Sequence, residues 1–335
     1  LAGKKFFIVP AVMVVVAIIF YLSHTNRPVT KEAFLFGTLI RITAYGPGAG
    51  STMDKALDKM AVIEQWTGTG TGSVAKINSK AGIEPVEVEE ELFFLLQRIF
   101  EQTQRTGGYF NPVIGPLSEV WDFGPGGAGR LPAPAEIAAV LPLLAPDKVQ
   151  FNTEKKTVYL AKTGMKLDLG GAAKGYAVDR AWEVLNSSRI RGALINAGES
   201  SIRVLGERPG GGPWRVAVAH PRKSERLGVL ELPSGKAVGT SADTQRFIIV
   251  EGHRYSHLFN PFTGYPPDDL FSTTVITDKA LEADVFSTAV FVAEGRNRQE
   301  LLEHWVVEGL VVDSSGRVTE TPGIKEFWSD GSGEP

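Results

Sequence analysis

Between Gly192 and Thr277 the chain offers seven strand-like segments, and no stretch of helical length separates any two of them. They are Ala193–Ala197, Ile202–Leu205, Trp214–Ala219, Gly228–Leu232, Phe247–Val250, Tyr255–Phe259 and Thr273–Thr277. Parallel neighbours need a crossover of about a dozen residues or more, so a run this dense pairs mainly antiparallel. Helical spacing lies on either side of it. Met53, Leu57, Met60 and Ile63 recur at helical intervals behind Ser51 or Thr52 as candidate N-cap. Glu89, Glu90 and Glu91 suit the positive end of a second helix, whose Leu92, Leu95, Leu96 and Ile99 form one face and which Gly107 and Gly108 stop. A short third helix starts near Pro134, and Ala280–Ala293 is helical again. Helices packed with a run of adjacent strands predict an α+β fold with largely antiparallel sheets.

Seventeen uncharged, mostly apolar residues, Phe6 to Leu22, follow Lys4 and Lys5. That is the short end of the roughly 17–25 residues that cross a bilayer as a helix. A cleaved signal peptide would end in a small-x-small site, whereas the bulky Tyr21-Leu22-Ser23-His24 stands here. The expectation is a retained N-terminal transmembrane helix at residues 6–22, anchored in membrane lipid with Lys4 and Lys5 on the cytoplasmic side. The body would then lie on the periplasmic, extracytoplasmic side of the inner (cytoplasmic) membrane. Residues 23–33, polar around Pro28, read as a tether, residues 34–325 as one domain and residues 326–335 as a C-terminal tail.

At 43% hydrophobic and 22% charged, the composition is that of a globular protein and excludes disorder. From Glu32 onward 31 Lys and Arg face 38 Asp and Glu, a net of −7, so nucleic acid is not an expected partner. The absence of cysteine excludes disulfides, thiolate metal sites, a cysteine nucleophile and a lipoprotein anchor together.

Familiar sites fail on inspection. Gly68-Thr-Gly70-Thr-Gly72 follows a helix instead of a strand and reads as a loop, and there is no phosphate loop or His-Glu-x-x-His. Three segments are sharper. Leu167 to Asp179 puts Asp168 and two glycines at the mouth of an apolar helix, where backbone N–H groups can approach a phosphate; a plain tight turn with Lys174 in solvent is the alternative. Asp284 and Thr288, four apart on a helix, can offer two oxygens to one cation, and few protein oxygens plus waters and a phosphate suit Mg2+. A helix pair bonded to each other has the same spacing. His257, where a strand enters a Pro/Gly turn, can serve as general base or as a structural histidine.

Taken in order, these segments resemble the ApbE family, the FAD:protein FMN transferases, from about Phe36 to Ala293. The likeness includes Phe36-Gly-Thr38, Gly72-Ser-Val-Ala-Lys-Ile-Asn78, the strip from Thr106 to Leu117, the Asp168 glycine-lysine turn, Asn196-Ala-Gly198, Thr240-Ser241, the His257–Pro266 turn and Ala283-Asp284. The resemblance implies an ApbE-like α+β domain over 34–325, Mg2+ as cofactor, and transfer of FMN from FAD to a Ser or Thr of a flavin-acceptor protein with release of AMP. By motif, Asp284, Thr288 and the carbonyl of Gly171 would hold Mg2+. Phe36, Tyr109, Phe110, Asn111, Asp168, Lys174 and Leu258 would line the FAD site, and His257 would be the base.

The chain also departs from the family's usual pattern. Gly-Ala-Phe-Asp has become Gly108-Tyr-Phe-Asn111, and Thr-Ser-Gly-x-Tyr-Glu has become Thr240-Ser-Ala242-Asp-Thr244-Gln245. Asn-x-Gly-Gly-Asp has become Asn196-Ala-Gly198-Glu199-Ser200, and Pro-Arg-Thr-Gly has become Pro261-Phe262-Thr-Gly264. The metal pair survives while flavin-site groups change. Two readings follow: a membrane-anchored transferase, or a non-catalytic ApbE-like subunit with a structural or binding role beside other subunits of a membrane electron-transfer complex.

Overall fold

A computed structural model describes residues 27–124, 126–304 and 307–329. At its centre lies an eight-stranded sheet in the order Val29–Leu35, Thr38–Tyr45, Gly192–Ala197, Ser201–Gly206, Ala237–Ala242, Leu270–Thr277, Glu308–Asp313, Val318–Glu320. Every neighbouring pair is antiparallel. The α+β fold expected from the dense strand run is therefore present.

Alternation along each strand separates two faces. Ile40, Ile42, Ala193, Ile195 and Ala197 meet the helices Ala49–Thr67, Ala173–Asn186 and Ala280–Val292 in the main core. Ile202, Val204, Val238, Ile276 and Leu310 point the other way, onto Trp214, Val216, Leu230 and Leu232 of a three-stranded second sheet. A smaller apolar cluster of Leu117, Trp121, Phe123, Ile137, Leu144 and Phe259 carries the His257–Pro266 turn. Trp121 stacks on Phe259 with centroids 5.6 Å apart and donates from Nε1 to the Gly264 carbonyl at 2.9 Å, tying that turn to the body.

Several boundaries differ from the sequence expectation. Strand begins inside the expected tether: Val29 to Leu35 pair in register with Ala44 to Thr38. Polar composition hid it, because Lys31 turns toward the body and pairs with Asp54. At the other end Ile324 is fully buried and Trp328–Ser329 pairs with Leu230 and Val229, so the packed body reaches Ser329, past the boundary expected at residue 325. The strand expected at Tyr255–Phe259 is His253–Ser256, leaving His257 just beyond it. The first helix starts at Ala49 behind Gly48, with no side-chain cap from Ser51 or Thr52. The anchor expected at residues 6–22 lies outside the described residues; among those described, no helix is long and apolar enough to cross a membrane.

One central strand, Ala237–Ala242, escaped the sequence reading altogether. On the face that meets the helix Ala280–Val292 its residues, Ala237, Gly239 and Ser241, are small, which breaks the strand pattern around Val238 and Thr240. A methyl group at Gly239 would collide with the backbone carbonyl of Ala283. We therefore expect Gly239→Val to destabilise the protein by about 1–3 kcal/mol or more, the scale of overpacking. Thermal denaturation followed by circular dichroism checks it; an unchanged midpoint would contradict this close approach.

Candidate active site

Local bonding fixes the glycine turn before the helix Ala173–Asn186 begins. Asn78 clamps Leu167 from both sides, donating to its carbonyl at 2.9 Å and accepting from its N–H at 2.7 Å. Asp168 donates its N–H to the Pro112 carbonyl, and its carboxylate accepts from Ser118 Oγ and from Gly170 N, each at 2.9 Å. Lys174, in the first turn of the helix, bonds Ser200 Oγ, and burial pushes its ammonium below the usual lysine range. It is not the free solvent lysine of the plain-turn alternative.

Next to this turn lies the carboxylate of Asp284. It is buried, accepts from Ser201 Oγ at 2.6 and 2.7 Å, and sits so near Gly175 that a Cβ there would be 2.9 Å from Oδ2. Burial is the main cause pushing its pKa up to about 7, opposed by the Lys174 charge and the Ser201 bond. One helical turn on, Thr288 Oγ1 lies 3.3 Å from Ser241 Oγ and against Gly171, where a Cβ would stand 3.4 Å from it. Asp284 and Thr288 are thus not bonded to each other alone; each meets a separate serine on a neighbouring strand.

These residues fit a cation. Asp284 is a buried carboxylate whose pKa burial holds up despite the Lys174 charge, and beside it stand the hydroxyl of Thr288 and the turn at Gly171. Among the described residues no three His, Asp or Glu converge. A single carboxylate with neutral oxygens is the donor set expected where a hard cation keeps waters and substrate phosphate as its remaining ligands.

His257 lies within electrostatic reach of the same turn. Its charge feels Asp168, which favours the cation, and Lys174, which opposes it; burial dominates and pushes its pKa down to about 4. Its Nδ1 lies 3.1 Å from the Arg246 carbonyl, and its backbone N–H donates to the same oxygen. A carbonyl only accepts, so Nδ1 carries the proton and Nε2 keeps its lone pair. The ring is half-buried, neutral at physiological pH and shaped as a base.

The remaining residues named from sequence divide. Phe110 is buried, with its ring against Gly171, where a Cβ would be 3.0 Å from Cε2. Tyr109 packs edge to face on Phe262, centroids 5.0 Å apart, and accepts from Asn297 Nδ2 at 2.6 Å. It also lines a cavity of about 590 Å³ with Thr106, Arg296 and Leu301. Asn111 spends its amide on backbone, donating to the Leu144 carbonyl at 3.2 Å and accepting from Val113 N at 2.9 Å. Phe36 occupies the hairpin turn at φ +54°, its N–H held by Glu64 at 2.5 Å, while its ring and Leu258 pack on the main core. So the fold brings together Asp168, Gly171, Lys174, His257, Asp284 and Thr288, with Phe110 at their edge. The contacts of Phe36, Asn111 and Leu258 lie with backbone and core instead. Sequence reading missed Asn78, Ser201 and Ser241 as partners of this group, because each meets it from a segment distant in sequence.

The ApbE family model matches residues 36–311 of this chain, and the chain belongs to that family. Among curated relatives, the FAD:protein FMN transferase of Klebsiella pneumoniae (strain 342) is 35% identical over 276 residues, covering 79% of this chain and 83% of that protein. The FAD:protein FMN transferase of Rhodobacter capsulatus is 29% identical over 308 residues; the match covers 89% of this chain but only 58% of that longer protein. The crystal structure of the ApbE protein from Thermotoga maritima superposes with a TM-score of 0.85 at 32% identity, covering 90% of this chain and all of that one.

Proposed function

We propose that this chain is a membrane-anchored, Mg2+-dependent transferase that moves FMN from FAD to a Ser or Thr hydroxyl of a partner protein and releases AMP. The observation that carries this reading is His257, with Nε2 unprotonated and within electrostatic reach of Asp168 and of Lys174, whose charge also acts on the buried Asp284. The relatives named as FAD:protein FMN transferases support the substrate and the reaction. Extracytoplasmic anchoring rests on the Phe6–Leu22 run.

In this mechanism the acceptor hydroxyl attacks the phosphorus on the FMN side of the pyrophosphate. The bond from that phosphorus to the bridging oxygen breaks, and AMP leaves with the electron pair. His257 Nε2 takes the hydroxyl proton, while the Arg246 carbonyl holds the ring in its productive tautomer. Lys174 and the N-terminal end of the helix Ala173–Asn186 offer positive potential to the phosphates. Asp284, Thr288 and the Gly171 carbonyl would hold Mg2+, which supplies charge neutralisation as the pyrophosphate is cleaved.

Protons compete with a cation for a carboxylate whose pKa is about 7. The apparent Mg2+ affinity should therefore fall about tenfold per pH unit once pH drops below 7. Calorimetric titration at pH 8 and pH 5.5 reads this directly; equal affinities at both would remove Asp284 from the ligand set.

The competing reading, a non-catalytic subunit of a membrane complex, is favoured by the contact between Tyr109 and Phe262, which stand where the family usually has a small and a charged residue. Incubation of the purified protein with FAD, Mg2+ and a Ser/Thr-containing acceptor separates the two. Release of AMP equal to the flavin bound covalently supports the transferase; a protein that binds neither FAD nor Mg2+ supports the subunit.

A further inference from the structure

We infer that Asp179 and Arg203 are positioning residues that fix the axial register of the helix bearing Asp284 and Thr288, and so set cation affinity at those two side chains. This rests on the metal reading given under the proposed function. The helix Ala280–Val292 has no side-chain cap from its own N-cap residue, Lys279, which places a cation at the positive end of the helix dipole. The cap comes instead from a different helix: Asp179 Oδ1 accepts from Ala280 N at 2.7 Å and Oδ2 from Leu281 N at 3.1 Å. Arg203 Nη1 donates to the same Oδ1 at 2.8 Å, and both side chains are only 9% exposed. Arg203 is fixed in turn, its guanidinium 4.0 Å from the Trp182 ring centroid and its Nε donating to the Gly235 carbonyl at 3.3 Å.

The geometry repeats one turn along. Asp284 lies four residues after Ala280, and Thr288 four after that. Ser201, two residues before Arg203 on the same strand face, holds the Asp284 carboxylate. Gly175, four residues before Asp179 on the same helix face, abuts the Ala280 carbonyl and Asp284. The helix Ala173–Asn186 thus meets the helix bearing Asp284 twice, at its first N–H groups through Asp179 and at Asp284 through Gly175, while the strand holds Asp284 directly through Ser201 and braces the Asp179 cap through Arg203. A cation that requires oxygens at about 2.0–2.1 Å tolerates little slippage of that helix. Asn at position 179 has the same size, but it brings one acceptor and an NH2 group to a spot where three donors converge.

The test is direct titration of Mg2+, and of Mn2+ followed by its electron spin resonance signal, without FAD at pH 8. We expect Asp179→Asn to keep its far-ultraviolet circular dichroism but to bind either cation about 10–100-fold more weakly, the range for residues that orient metal ligands. Arg203→Lys, which keeps the charge and loses the planar fork, should weaken binding in the same direction. Turnover of both variants should recover to within a few-fold of wild type at saturating Mg2+, so that the loss lies in the metal constant and not in kcat. Unchanged cation affinity with a lowered thermal midpoint overturns the inference and leaves Asp179 a purely structural cap. If Asp179→Asn does not fold, Arg203→Lys decides by the same criterion. Wild-type protein that binds no divalent cation overturns the inference as well. Wild-type protein that binds the cation yet transfers no flavin overturns the proposed function alone.

Discussion

Asp284→Asn should reduce Mg2+-dependent flavin transfer by about a thousandfold or more, the scale of removing a principal electrostatic element, while leaving the metal-free fold intact. The reason lies in its surroundings. The carboxylate is buried beside Ser201 and Gly175, and burial pushes its pKa from 3.8 up to about 7. In the absence of metal the folded state therefore favours the neutral acid, and between about pH 4 and pH 7 it binds more protons here than the unfolded chain does. Stability from this group is full below pH 4 and is lost as pH rises through 7. Asn is neutral throughout, so the variant in chelator should lack this decline and be at least as stable as wild type at pH 8. Urea denaturation with chelator at pH 5 and pH 8 measures the stability arm, and AMP release with Mg2+ measures the catalytic arm. A variant that unfolds, or one that still transfers flavin with Mg2+, contradicts the assignment.

Replacing His257 should be nearly as damaging to turnover and far milder on binding. His257→Gln is expected to lower kcat by about 10²–10⁴-fold, the usual contribution of a positioned general base, with FAD and Mg2+ affinities close to wild type. Because burial pushes its pKa down to about 4, the imidazole is already an unprotonated base across the neutral range. Wild-type kcat at saturating Mg2+ should consequently show no acid limb near pH 6.5. If such a limb appears at saturating metal, or if His257→Gln turns over at the wild-type rate, the base is another group.

What the sequence made legible followed from physical regularities that act locally. The strand run from Gly192 announces itself by alternation, and the helix carrying Asp284 and Thr288 by an apolar run too long for a strand; both form nearly as read. The glycine turn at Asp168 was readable because close approach of backbone needs glycine. What stayed hidden depends on partners distant in sequence. Ala237–Ala242 escapes notice because a helix pressed onto one face permits only small residues there, Ala237, Gly239 and Ser241. Ser201 gives no hint that its hydroxyl serves a carboxylate 83 residues away. Arg203, a charge in the buried strand Ser201–Gly206, was the clearest unused signal, since a buried cation requires a buried anion, here Asp179. Asn111 shows the converse: motif position suggested a flavin contact, while its amide bonds the Leu144 carbonyl and Val113 N.

The central claim is that a Ser or Thr hydroxyl of another protein is joined to FMN by this chain's own His257 and Asp284. Intact-mass spectrometry of the acceptor after incubation with FAD, Mg2+ and the purified protein reads that claim without intermediate assumptions. The account predicts that the acceptor gains one FMN less one water, that the gain disappears with chelator, and that it disappears with Asp284→Asn. An acceptor whose mass stays unchanged with the wild-type protein while another ApbE family member modifies the same acceptor would contradict it.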